Sequence, residues 1–120
     1  PPIYFSVVYN HNHFWEGDHF YGCSLTAANE VFSSHNYILG EFKLNNAIFV
    51  NYQKFPNITK KNIEEAYSDG YKNVENRKEL FKYNHDVEEL LQMSPTQSIE
   101  FIDNLFKKYK GMYELRIVDN

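Results

Sequence analysis

The amino-acid sequence predicts an α+β fold: an antiparallel sheet of about four strands with three or four helices packed mainly on one face. Three observations point there. The first 53 residues hold a single basic residue, Lys43, and 12 of the 21 aromatic rings, whereas the rest of the chain holds 11 of the 12 basic and 12 of the 16 acidic residues. Such a shift marks a strand-rich half followed by a helix-rich one. A pair of asparagines, Asn45 and Asn46, sits between two strand-like runs, the signal of a tight hairpin. The order of the elements follows neither a regular βαβ alternation nor all-β spacing. No Gly/Ser linker divides the 120 residues, so the reading is one domain, 1–120.

Ile3 to Tyr9 is β-branched and aromatic, apolar on both faces, and reads as a central strand. Ser24 is placed to cap a helix from Leu25 to Ser33, with Leu25, Ala28 and Phe32 on one face. Tyr37 to Leu44 and Ala47 to Tyr52 form the hairpin arms, because asparagine tolerates the positive φ of a two-residue turn. Phe55-Pro56-Asn57 ends the hairpin. A helix is expected from Thr59 to about Asp69, stopped by Gly70, with Ile63, Ala66 and Tyr67 inward.

Residues 75 to 93 read as helix, broken near Asn84-His85. Asp86 and Glu89 resemble a capping pair, and Leu80, Phe81, Val87, Leu90 and Leu91 make the apolar face. Ser94-Pro95-Thr96-Gln97 is the clearest local signal: a serine cap, proline at the first helical position and a glutamine to close the box. That helix should bury Ile99, Ile102, Leu105, Phe106 and Tyr109 and end in lysines before Gly111. Tyr113, Leu115 and Ile117 alternate with polar residues as a closing strand, which must pair with the first half of the chain.

Composition narrows the function. A net charge of −4 lacks the positive excess that phosphate binding needs, so direct nucleic-acid binding is disfavoured. Cys23 is the only cysteine, which precludes an internal disulfide and suits a reducing compartment. No apolar run reaches the roughly 18 residues of a membrane span. The segment from Pro1 to Phe5 has neither the basic region nor the cleavage site of a signal peptide, so a cytoplasmic location is expected and the sequon at Asn57 is read as chance.

Residues 10 to 23 gather His11, His13 and His19, Glu16 and Asp18, the only tryptophan, Trp15, and Cys23. His11 and His13 would share a face of a strand, and Glu16, Asp18 or His19 could complete a metal set. The His-x-His pair with a following carboxylate resembles the cupin motif. Glu16 comes too soon for that motif, its preceding glycine is absent, and too few strands follow for a double-stranded barrel. Cys23 precedes a helix and could act as a nucleophile with a histidine partner. Two imidazoles could divide acid and base roles on an RNA hydroxyl. Residues 20 to 25 also resemble locally the strand-Gly-Thr-Ser-helix opening of ADP-ribosyltransferases, without the His or Arg before the glycine. No Walker loop or dinucleotide fingerprint occurs, and no cofactor is called for.

A chain that is small, acidic and Tyr-rich, with no complete catalytic motif, reads best as a protein-binding module. The expectation is an inhibitor or immunity protein that blocks a basic enzyme such as a nuclease toxin. Its binding candidates are Trp15 and Tyr21, with Glu64, Glu65 and Asp69 on one helix and Asp86, Glu88 and Glu89 on another. The alternative is a small His-dependent or metal-dependent enzyme using His11, His13, His19 and Cys23.

Overall fold

In a computed structural model that describes residues 2–118, four strands pair into two antiparallel ribbons. β1 (Ile3–Val7) pairs with β4 (Tyr113–Ile117) in a register running from Ile3 opposite Ile117 to Val7 opposite Tyr113. β2 (Tyr37–Lys43) pairs with β3 (Asn46–Asn51), with an irregularity between Leu39 and Glu41. The α+β class and the four antiparallel strands match the sequence reading, but the strands are shared between two ribbons rather than forming one sheet. The edges explain the division. The free edge of β1 is taken by residues 22–24, through Val7 N–H to the Gly22 carbonyl at 3.0 Å and Ser24 N–H to the Phe5 carbonyl at 2.8 Å. The outer side of β2 is likewise used, by Lys61 N–H to the Leu39 carbonyl at 2.9 Å.

Ser24 does several jobs at this junction. Its hydroxyl oxygen accepts from Ala27 N–H, capping α1 (Leu25–Ser33), and from Phe5 N–H, while its own hydrogen goes to the Ile3 carbonyl at 2.8 Å. The helix buries Ala27 most deeply; of the predicted face, Leu25 packs against the core, whereas Phe32 lies partly outside, stacked on Phe49 with ring centroids 4.3 Å apart.

The hairpin turn falls one residue earlier than predicted. Lys43 faces Asn46, so the turn is Leu44-Asn45, and Leu44 itself takes φ of 59°. Leu44 N–H donates to the Gly70 carbonyl at 2.7 Å, and this tie selects the turn over local asparagine chemistry.

The second half departs further. α2 (Ile63–Tyr67) starts at an Asn62 cap, not at Thr59, and runs into a wider π turn over Ser68–Lys72. Gly70 is therefore inside that turn, buried against Phe42, and does not stop a helix. The long helix expected over 75–93 is replaced by α3 (Arg77–Leu80) and two 3-10 segments, Lys82–Asn84 and Glu88–Gln92. Here the polar side chains are committed to distant partners. Asn84 donates to the Tyr71 hydroxyl and Asp86 binds His19, so neither supports a continuous helix. α4 (Pro95–Leu105) has the predicted capping box, with Ser94 and Gln97 each bonded to the other's backbone. A 3-10 turn over Lys107–Tyr109 follows it.

Two apolar clusters result. Ile3, Phe20, Ile102, Phe106 and Tyr109 fill the one between β1–β4 and α4. Leu39, Phe42, Ala66 and Tyr71 fill the other, between β2–β3 and α2. Each ribbon has its own helical cover. Aromatic rings dominate both, as the composition implied, although Leu105 and Leu80 stay exposed. No helix among the described residues is long and apolar enough to cross a membrane.

Candidate functional site

The segment from Asn10 to Cys23 lies between β1 and α1 and contains no regular element, yet it is tied down along its length. At its start, the Asn10 side chain accepts from Asn12 N–H at 2.9 Å and its carbonyl from His13 N–H at 3.0 Å, a local turn. At its end, Asp18 accepts from Phe20 N–H at 3.0 Å. Phe20 is the anchor. It is 1% exposed, and its ring lies on Tyr109 at 4.0 Å with an interplanar angle of 6°.

Tyr109 is buried with its hydroxyl against both the Glu16 and Asp18 carboxylates. A phenol has one hydrogen and donates to one carboxylate at a time. The excess negative charge is offset by Lys108, whose Nζ lies 2.9 Å from Glu16. The Tyr109 contact and then Lys108 hold the Glu16 carboxyl below its ordinary range. Burial, reinforced by Asp18 and Glu16, pushes the Tyr109 phenol up to about 12.

A second tie joins the segment to residues far along the chain. His19 Nε2 sits 2.8 Å from an Asp86 carboxylate oxygen, and the imidazole packs 4.4 Å from the Tyr83 ring. The Tyr83 hydroxyl donates to the Gly17 carbonyl at 2.9 Å. The bond from His19 keeps the Asp86 carboxyl below its usual range. Tyr83 is raised, first by burial and then by the nearby Tyr21 hydroxyl, Asp18 and Asp86.

The anchored segment presents large rings outward. Phe14 is 80% exposed, Trp15 62% and Tyr21 56%. Trp15 is not loose: its indole N–H donates to the Asp18 carbonyl at 2.8 Å, and its ring meets Tyr21 edge to face at 5.8 Å. Exposed aromatic residues held in place are the usual make-up of a protein-binding surface.

The catalytic candidates do not converge. His11 is exposed. His13 packs edge-on against Phe20 and Tyr109, and its buried Nε2 has no hydrogen-bond partner among the described residues. His19 is engaged with Asp86. No group of three His, Cys, Asp or Glu residues able to hold a metal forms among the described residues, so His11, His13, Glu16, Asp18 and His19 do not make the metal set that their spacing suggested. Cys23 is exposed at its residue surface, but partial burial of the thiol raises its pKa, opposite to the activation expected of a nucleophile.

The acidic candidates separate as well. Glu64 and Glu65 occupy the first turn of α2 and suit its positive end. Asp69 and Glu89 are exposed. Glu88, expected on the surface, instead turns inward: its oxygens accept from Tyr71 at 3.0 Å and from Arg77 at 3.1 Å, so both are engaged within the chain. Asp86 is the acid tied to the 10–23 segment, through His19, and Tyr83, bonded to the Gly17 carbonyl, is the member that sequence reasoning missed. Its only advance signal was an unassigned aromatic immediately before the suspected break at Asn84-His85. No protein family, curated protein or solved structure matches the chain.

Proposed function

We propose that the protein is a binding module for another protein with a basic surface, acting as an inhibitor or immunity factor against a basic enzyme such as a nuclease. One observation carries this reading. Phe14, Trp15 and Tyr21 stand exposed on a segment that Tyr109, His19–Asp86 and Tyr83 fix in place. A fixed aromatic face loses little conformational entropy on binding, which is what makes such rings energetic hot spots. The exposed Asp86 carboxylate, tied to the same segment through His19, favours a positively charged partner. The overall charge of −4 acts in the same direction.

The test is affinity capture on the wild-type chain and on the Trp15→Ala/Tyr21→Ala double variant, followed by binding of the purified partner. The reading expects a basic protein that forms a complex with the wild type and binds the variant about tenfold or more weakly. Charge reversal at Asp86 should weaken the complex further, whereas reversal at Glu64 and Glu65 should change it little. A purified partner that binds both chains equally would refute this face as the binding surface.

The enzyme reading keeps one supporting feature, the His19–Asp86 pair, which resembles an oriented general base. No second imidazole or thiol is bonded to it among the described residues. RNA cleavage by the wild type that is lost in His19→Ala would favour that reading.

A further inference from the structure

A two-stranded ribbon has two outer edges, and three of the four edges here are guarded. Residues 22–24 bond to β1, and Lys61 bonds to β2. β4 carries Glu114 and Arg116, side chains of the kind that discourage a further strand. β3 has neither device. Its backbone orientation follows from a bond on the far side of the hairpin. The Leu39 carbonyl turns away from β3 to accept from Lys61 N–H at 2.9 Å, so Leu39 and its partner Phe49 are a non-hydrogen-bonded pair. The N–H and C=O groups of Phe49, and of Ala47 two residues before it, therefore point out of the ribbon. No backbone bond from another described residue meets them there. The edge is also uncharged: residues 44–53 contain no Asp, Glu, Lys or Arg, in a chain that is 23% charged. Ile48 stands 57% exposed in its middle.

We propose that the edge of β3 pairs antiparallel with β3 of a second copy of this chain, about a twofold axis through Ile48. In that register Ala47 of each copy exchanges both backbone hydrogen bonds with Phe49 of the other, and every outward group of both residues is met. Ile48 faces Ile48 in a non-hydrogen-bonded pair, the closer of the two kinds, while the large Phe49 ring faces the small Ala47. Three features select a second copy over a foreign strand. The edge is short, bounded by the Leu44-Asn45 turn and by Asn51, whose carbonyl already accepts from Phe55 N–H at 3.0 Å. A long strand has nowhere to continue, whereas an equally short edge fits. A twofold axis also brings each stretch against itself, and a charged stretch would then set like charges face to face; residues 44–53 have none to set. Finally, the pairing closes. The joined sheet, β2–β3–β3–β2, ends on the two edges to which Lys61 bonds and leaves no β3 edge for a third chain. This surface shares no residue with Phe14, Trp15 or Tyr21, so it stands or falls apart from the binding-module reading.

Sedimentation equilibrium of the full chain, from about 10 μM to about 1 mM, should show a reversible shift from one chain to two. The amides of Ala47 and Phe49 should exchange more slowly as that shift proceeds. Ile48→Lys and Ile48→Glu each place a charge against its own copy on the axis and should each weaken the pair about tenfold or more. Both should keep the circular dichroism of the wild type, because residue 48 is exposed. Mixing the two variants in equal amounts should restore the two-chain species, since lysine then faces glutamate. A wild type that remains one chain at about 1 mM would overturn the inference. So would a two-chain species that both variants leave intact, or one that mixing fails to restore. A chain that stays single, with the amides of 47 and 49 protected only by a different purified protein, would give the edge to a foreign strand and overturn it as well.

Discussion

Tyr109 and Asp86 hold the exposed segment by contacts that span 91 and 67 residues of sequence, and their protonation sets the pH range over which it stays in place. Asp86 and Glu16 are both lowered, by His19 and by Tyr109 with Lys108. A lowered carboxyl contributes stability that is present above its unfolded pKa and lost as pH falls through its folded one. Tyr109 is raised to about 12, so its contribution is complete below the ordinary tyrosine value and lost as pH climbs toward 12. Trp15 emission should therefore be flat from about pH 5 to about pH 10, changing below about 4 and again above about 10. Tyr109→Phe should shrink the alkaline change, leaving what Tyr67 and Tyr113, each also raised to about 12, contribute through general unfolding. A main transition between about pH 6 and 8 would place control with a histidine instead and contradict this assignment. The residue types of the segment were legible in the sequence; their partners were not. Nothing local to His19 indicates Asp86, and nothing local to Glu16 and Asp18 indicates a tyrosine beyond α4.

The elements that the sequence disclosed are those whose signals are local. The Ser94-Gln97 box and the Ser24 cap are complete within four residues, and both helices begin where those residues say. The hairpin was also readable, but its turn was displaced by a long-range bond from Leu44 to Gly70 that outweighs the asparagine preference. Gly70 looked like a helix stop because glycine commonly ends helices. Its actual role is steric. A Cβ there would lie 2.3 Å from the Phe42 carbonyl oxygen and 2.8 Å from the Phe42 ring, and the backbone oxygen cannot step aside without moving β2. Gly70→Ala should therefore destabilise the fold by about 1–3 kcal/mol, read as a lower urea midpoint with an unchanged slope. A midpoint equal to that of the wild type would show that the π turn yields freely and that the contact is not tight. The region 75–93 misled for the opposite reason: its apolar spacing fits a helix, but Asn84, Asp86 and Glu88 are spent on Tyr71, His19 and Arg77.

Across the molecule, two small aromatic cores stand where one sheet and one helical layer were expected. The α+β class was legible because strand-like and helix-like compositions occupy different halves; the splitting was not, because edge occupancy by residues 22–24 is a tertiary fact. That same occupancy places the 10–23 segment beside β1 and over the Phe20–Tyr109 stack. The aromatic face is thus a product of the fold rather than a loose connection. The exposed Asp86 and the chain's net charge of −4 would speed the approach of a basic partner, an effect that salt should screen. The most direct measurement is amide hydrogen exchange along the whole chain with and without the purified partner. Binding at the proposed face should raise protection over residues 13–22 and 83–86 and leave the first turn of α2 unchanged. Protection confined to residues 63–69 and 88–92, with 13–22 exchanging as in the free chain, would contradict it.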